Sequence, residues 1–410
     1  MRLNKHLVSY SMIASIVVAF FGLIWGLYLR NIAYTNDAYV HGNQIYITPL
    51  QDGTIVRIHT DDTFLVKEGQ VIAELDDTYA KIALEKAKVH LATTVREVCQ
   101  IYHRTFALLS DIEVGIAELI VSKQDWDHRV DVINNGGVSL ENLQHAEAAL
   151  KSAYYQLKAT ESSFLREKAL IQAASIRSNP MVQKALDDLQ DAAVALYRTK
   201  IYAPNTGLIA QRTAQVGMFM KAGDPLMSVI PLDQIWVNAN YKETQMKRMK
   251  IGQKVKITAD MYGFSVVYDG TIVGLPGGAG NAFSLLPPQN LSGNWIKIVQ
   301  RLPVRVALDP VKLSQYPLRI GQTMRATTNL RDNPNFTRVP DNYNGPLYTT
   351  NILLKEDFGS EQMGDLIITA NIDPLLKNYD AEPFQVDYKP FAYTLDQLFN
   401  PEVIVEKTYP

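Results

Sequence analysis

A repeat of seven runs from Leu84 to Ile133, and it limits what this chain can fold into more than any other feature. Leu84, Leu91, Val98, Thr105, Ile112, Leu119, Trp126 and Ile133 step by sevens, with Val95, Tyr102, Leu109, Ile116 and Val130 on a second series four residues behind. Lys, Glu, Gln and Asp fill most other positions, so the apolar stripe is the narrow seam of a coiled coil rather than the wide face of a globular core. At Asn134-Asn135-Gly136-Gly137 the chain carries residues that adopt positive φ in a tight reversal. The sevens then resume in a new register at Leu143, Leu150, Leu157, Phe164 and Ile171, with Ala146, Ala153 and Ala174 as companions and Ser139 placed to cap the returning helix. The pattern predicts an antiparallel α-helical hairpin over residues 77–200 with its tip near 134–139. An outgoing arm of roughly 57 residues would reach about 85 Å at 1.5 Å per residue. Asn179-Pro180 breaks the return arm, because proline lacks an N–H and clashes with the preceding turn. The repeat restarts at Val182, Leu186, Leu189, Ala193 and Leu196, which predicts a kink or a short broken section rather than the end of the arm.

The first thirty residues decide localisation. Leu7 to Leu29 carry no charge, enough to cross a hydrocarbon core of about 30 Å, with Tyr10, Trp25 and Tyr28 as interfacial aromatics. A cleaved signal peptide is the competing reading, but Leu27-Tyr28-Leu29-Arg30 does not resemble a small-residue cleavage site. Arg2 and Lys5 precede the span, which favours a cytoplasmic N-terminus with the rest of the chain on the far side. The formal net charge of −2 over 410 residues argues against nucleic acid as a partner. The single cysteine, Cys99, lies beside the heptad seam and reads as a small half-buried side chain with no internal disulfide.

An internal repeat flanks the hairpin. Residues 45–76 and 201–232 both read as short strands of alternating pattern, and Gly53, Lys67 and Gly69 in the first correspond to Gly207, Lys221 and Gly223 in the second, at identical spacing. Each copy is too short to bury a core alone, so the two are expected to pair into one β module split by the hairpin. Residues 31–44 read as a linker. From Asp233 to Leu330, short apolar runs divided by Gly252, Gly263, Gly270 and Pro310 suggest a small β-barrel, with a helical turn at Gln245–Lys250. Gly274–Gly280 lacks the Gly-Lys-Ser/Thr that a phosphate loop needs and reads as a barrel loop. Its apolar continuation, including Phe283, Leu285 and Leu286, would be odd in solvent and is a candidate membrane- or transporter-facing surface.

The order of parts resembles the membrane fusion proteins, the periplasmic adaptors of Gram-negative export systems, and most closely the EmrA-type branch of the HlyD/EmrA group. Asn36 to Ile55 (NDAYVHGNQIYITPLQDGTI), Ile235 to Ile257 (IWVNANYKETQMKRMKIGQKVKI) and Gly280 to Val306 (GNAFSLLPPQNLSGNWIKIVQRLPVRV) carry the likeness, which covers roughly residues 1–330. It implies an elongated α+β multidomain chain: a transmembrane helix, a lipoyl-like module split by the coiled-coil hairpin, then a β-barrel. It also implies a ring of identical subunits between an inner-membrane transporter of the major-facilitator type and a TolC-like outer-membrane channel, exporting small amphipathic compounds. Arg129, Ile133 and Ser139 occupy the positions through which such adaptors meet the channel, with isoleucine standing where the family has leucine. A lipoyl-like module raises the question of a carrier lysine, but the junction Asp76-Asp77-Thr78-Tyr79 has none, and Lys67 and Lys221 read as turn residues.

Catalytic, cofactor and metal constellations are absent from the sequence. The seven histidines show no metal-ligand spacing, and no Gly-x-Ser-x-Gly elbow occurs. Residues 331–410, proline-rich and acidic, fall outside the resemblance and read as extended or wrapped over another surface. Two other readings stay open: an adaptor for protein or peptide secretion with an ATP-driven transporter, and an envelope tether without transport.

Overall fold

The computed structural model describes residues 5–27, 31–133, 136–278, 299–332, 346–353, 359–386, 388–400, 403 and 405. In chain order, α1 (Lys5–Leu27) is followed by β1 (Ile32–Gly42), β2 (Ile45–Ile47), β3 (Gly53–Ile58), β4 (Leu65–Val66) and β5 (Val71–Leu75). Three helices come next: α2 (Thr78–Ile133), α3 (Leu140–Ile171) and α4 (Pro180–Arg198). Then come β6 (Lys200–Tyr202), β7 (Gly207–Ala210), β8 (Phe219–Met220), β9 (Met227–Ile230), β10 (Ile235–Lys242), a 3-10 turn (Glu243–Arg248), β11 (Lys254–Ala259), β12 (Val267–Gly274) and β13 (Arg301–Leu308). The chain finishes with α5 (Pro310–Gln315), β14 (Thr323–Asn329), α6 (Ser360–Asn371), a second 3-10 turn (Pro374–Tyr379) and α7 (Leu395–Leu398). Two compact units result, one of Met1–Asp76 with Lys200–Leu354 and the other of Asp77–Thr199 with Lys355–Pro410.

Within the first unit, the segments that flank the hairpin in sequence interleave strand by strand. One sheet has the order β2-β9-β7-β4 and the other β6-β5-β3-β8. The internal repeat maps β2, β3, β4 and β5 onto β6, β7, β8 and β9, so it converts one sheet into the other. The two sheets share a core that includes Ile47, Ile55, Ile72, Ile209, Leu226 and Val229. The corresponding turns are built alike: the Lys67 N–H donates to Gln70 Oε1 (3.0 Å) and the Lys221 N–H to Asp224 Oδ2 (2.9 Å). Gly69 and Gly223 sit at φ +77° and +91°, which only glycine adopts at no steric cost. Each turn then crosses to the other half, Gly69 N–H to Ala203 O (2.9 Å) and Gly223 N–H to Pro49 O (3.0 Å).

Six strands close a barrel in the order β1-β10-β13-β12-β11-β14. Residues 31–44 are therefore not a linker: most of them form β1, which pairs with β10 (Val40↔Val237) and β14 (Ala33↔Thr328) and completes the closure. Ala33 and Thr35 face inward, then Ala38 and Val40, and the one-residue bulge between Thr35 and Ala38 explains the change of phase. The interior is aliphatic (Val237, Val255, Ile257, Ile272, Val304, Val306), with Tyr241 donating to or accepting from Thr328 Oγ1 at 2.7 Å. α1 exposes Tyr10, Ile13, Ile16, Phe20 and Phe21. Among the described residues no helix is long and apolar enough to cross a membrane, and the expected span Leu7–Leu29 ends in residues outside those described.

The second unit is the hairpin and the C-terminal tail. Of the first heptad series, Leu84, Leu91, Val98, Thr105, Ile112 and Leu119 are buried, as are Leu150, Leu157, Phe164 and Ile171 on the returning helix. The return arm breaks between α3 and α4, where Asn179 is buried, accepts from the Met181 N–H (3.0 Å) and donates to Leu170 O (3.0 Å). Pro180 sits in the first turn of α4, the one helical position where a missing N–H costs nothing.

Candidate partner-binding sites

At the hairpin tip, Ser139 is the N-cap of α3 and accepts from the Asn142 N–H at 3.2 Å. Gly136, at φ +72°, donates its N–H to Ile133 O (3.1 Å) and closes α2. Arg129 spans the two helices, donating through Nε to Asp125 Oδ1 (3.1 Å) and through Nη1 to Asn142 O (2.7 Å). Arg129, Ile133 and Ser139 thus lie at one end of the hairpin, with Ser139 exposed and the other two half-buried. Arg129 and Ser139 also hold the reversal together, so part of their bonding capacity is used within the chain. The buried Lys123, paired with Asp127 one turn along, lies a little further from the tip.

The tail covers the seam. Ile368, Ile372, Leu376 and Phe384 are buried with Leu91, Val95, Val98 and Tyr102 of α2 and with Ile176, Val182 and Leu189. Phe384 meets Tyr102 edge-on at 5.4 Å between ring centres. Further along, Tyr388, Phe391, Leu398 and Phe399 pack against Ile112, Leu119, Leu150, Leu157 and Phe164, and Phe399 meets Trp126 at 5.2 Å. Polar groups fix the path. Glu161, almost fully buried, accepts from the Phe391 N–H (2.7 Å), the Tyr388 hydroxyl (2.5 Å) and Lys158 Nζ (2.9 Å). Lys158 and Lys168 donate to the carbonyls of Phe391 (2.9 Å) and Val386 (2.8 Å), and Arg177 pairs with Asp365 and Asp380. Burial pushes the Tyr102 phenol up to about 12 while it donates to Ala174 O at 3.0 Å. Asp373 is held below its ordinary range by the Leu375 N–H and then by His103 at 3.1 Å. The aromatics at 379–399 were the sequence signal for this packing, but their spacing follows no helical or strand period.

The barrel supplies the third candidate surface. Its six strands are antiparallel all the way round, so the starts of β1, β11 and β13 and the ends of β10, β12 and β14 share one rim. The segment between Gly274 and Arg301 therefore leaves and rejoins the barrel at the rim where the chain arrives from α1. Phe283, Leu285 and Leu286 lie outside the described residues. The same rim carries Lys254, Lys256 and Arg331, a cluster that sequence reading passed over although the lysines alternate with buried Val255 and Ile257.

The family described as EMRA, alpha-helical hairpin domain, matches residues 78–199. The chain is 44% identical over 308 residues to "Multidrug export protein EmrA" of Escherichia coli (strain K12), covering 75% of this chain and 79% of that one. It is 42% identical over 295 residues to "Fatty acid resistance protein FarA" of Neisseria gonorrhoeae, covering 71% and 74% respectively. Among solved structures, "Structure of the periplasmic adaptor protein EmrA" aligns over 73% of this chain and 98% of its own, with 16% identity and a TM-score of 0.38.

Proposed function

The chain belongs to the EmrA-type membrane fusion protein family, and from that premise we propose that it is the periplasmic adaptor of a tripartite export system, joining an inner-membrane transporter to an outer-membrane channel. In this reading α1 is the inner-membrane anchor, with the N-terminus in the cytoplasm and the units after it in the periplasm. The transporter is a major-facilitator drug/proton antiporter, the channel is TolC-like, and several copies form a ring. The paired sheets β2-β9-β7-β4 and β6-β5-β3-β8 are its lipoyl-like module, structural rather than a cofactor carrier. Relatives named for multidrug export and for fatty acid resistance support a small amphipathic cargo.

The observation that carries this reading is the hairpin itself. Two helices paired along a heptad seam, 56 and 32 residues long, end in a capped turn that leaves Ser139 exposed. Its seam is filled by Ile112, Leu119, Leu150, Leu157 and Phe164, and in this reading the paired helices are the part that reaches a partner.

A photo-crosslinker at Ser139 in intact cells tests it: the expected product is an adduct with an outer-membrane channel, and Arg129→Asp is expected to reduce it. Deleting the gene should raise drug susceptibility and dye accumulation. Altered cell shape with unchanged export and no channel adduct would instead identify a tether. Charge substitutions at Phe283 and Leu285 are expected to impair export through the barrel rim.

A further inference from the structure

At the rim of the barrel where the chain enters from α1, a cleft of about 290 Å³ is lined by residues that include Asn31, Lys254, Lys256, Thr327, Asn329, Arg331 and Asp332. Lys254 and Lys256 are exposed on the outer face of β11, about 7 Å apart because alternate residues share a face of a strand. Lys256 lies opposite Thr327 of β14, and the Lys254 ammonium donates to Thr271 Oγ1 at 3.3 Å. Arg331 follows the end of β14 and lines the same cleft. One carboxylate, Asp332, faces three cations in this lining, and it also accepts from Asn329 Nδ2 at 3.1 Å. The chain as a whole has 40 basic and 42 acidic residues, so this excess of positive charge is local and not a reflection of composition.

Chain connectivity fixes where this cleft must be. Five backbone steps separate Leu27, the last residue of α1, from Ile32, the first of β1. Even fully extended they span about 18 Å. If α1 is the membrane anchor, as proposed above, Ile32, which lines the cleft, is held within that distance of the anchor's end. The cleft combines cations with hydroxyl and amide donors from Thr327 and Asn329, which is the donor set a phosphodiester requires.

We propose that this cleft binds the phosphate headgroup of an anionic phospholipid such as phosphatidylglycerol, so that the barrel rim is seated on the bilayer by charge as well as by the anchor. The proposal rests on α1 being that anchor. Basic residues at an anionic surface act additively, each changing occupancy by about fivefold. They act within a screening length of about 8 Å at physiological salt, so the interaction weakens as salt rises.

The full-length chain reconstituted in nanodiscs of phosphatidylcholine mixed with phosphatidylglycerol provides the test, with native mass spectrometry counting the lipids that stay bound. Wild type is expected to retain phosphatidylglycerol over phosphatidylcholine, and added sodium chloride to erase the preference. Lys254→Gln with Lys256→Gln should lower the enrichment by roughly 25-fold, whereas Lys254→Arg with Lys256→Arg should keep it. Insertion into the discs with no preference for the anionic lipid, a preference indifferent to salt, or a Gln variant as selective as wild type overturns the proposal and leaves the anchor intact. A chain that does not enter discs at all overturns the anchor and the proposal together. The salt titration uses the unmodified chain, so the test survives a variant that fails to fold.

Discussion

The covered and uncovered stretches of the hairpin solve the same problem differently. From Leu91 to Trp126 the seam lies beneath the tail, and large side chains meet from three directions: Tyr102 and Phe106 with Tyr379 and Phe384, Phe164 with Tyr388, Trp126 with Phe399. Beyond Trp126 the Arg129 guanidinium on Asn142 O links the two helices, beside the Ser139 cap of α3. The contrast teaches that a two-helix seam is too narrow to bury bulky aromatics, whereas a third segment converts it into a core and lets polar groups be buried if they are satisfied. Glu161, taking donors from both its own helix and the tail, is such a group.

Four substitutions probe that contrast, beginning with the largest effect. Phe384→Ala empties a fully buried ring site and should cost about 3–5 kcal/mol in denaturant unfolding of the hairpin unit; a loss below about 1 kcal/mol would make the tail a passenger. Glu161→Gln removes the charge that Tyr388 and the Phe391 N–H donate to, with an expected loss of about 1.5–3 kcal/mol. The same substitution should increase protease cleavage near Phe391. No change in either would show that apolar contact alone holds the tail.

Tyr102→Phe should cost about 1 kcal/mol, because the Ala174 carbonyl loses a buried donor. It also carries a pH signature. The folded phenol is raised from 10 to about 12, so the unfolded chain ionises first as pH rises. The contribution of this group is complete below pH 10 and is lost progressively between pH 10 and about 12. The Phe variant should flatten that part of the stability curve, and an unchanged curve would assign the decline to other groups. The smallest effect belongs to the uncovered end: Arg129→Ala should cost under about 1 kcal/mol, since this guanidinium is partly solvated. It is expected to speed amide exchange around Asn142 without affecting Phe164. Destabilisation as large as that of Phe384→Ala would erase the distinction between the two stretches.

Some of this was legible in the residues. The reversal, the Ser139 cap and the break before Pro180 are local features, set by glycine, serine and proline within a few positions of where they act. The spacing of Gly53, Lys67 and Gly69 against Gly207, Lys221 and Gly223 was equally readable, because the first pair opens corresponding strands and the other two build the same turn. β1 was not: the bulge after Thr35 shifts its alternation by one residue, and a strand whose inward face changes phase looks like irregular chain. Nor was the rim cleft, whose Lys254, Asn31 and Arg331 come from segments far apart in sequence.

The sequence by itself determined the paired helices, their turn and the doubled β segments, because heptad, cap and repeat are periodic and need only near neighbours to take effect. Only the tertiary structure decided that 32–42 closes the barrel, that the tail lies on the heptad seam, and that three cations and one carboxylate share a cleft at the rim. Those outcomes depend on which distant surfaces remain to be covered once the local elements have formed. Burial of apolar area carries no record of sequence separation, so the pairing of tail with seam leaves no period to read.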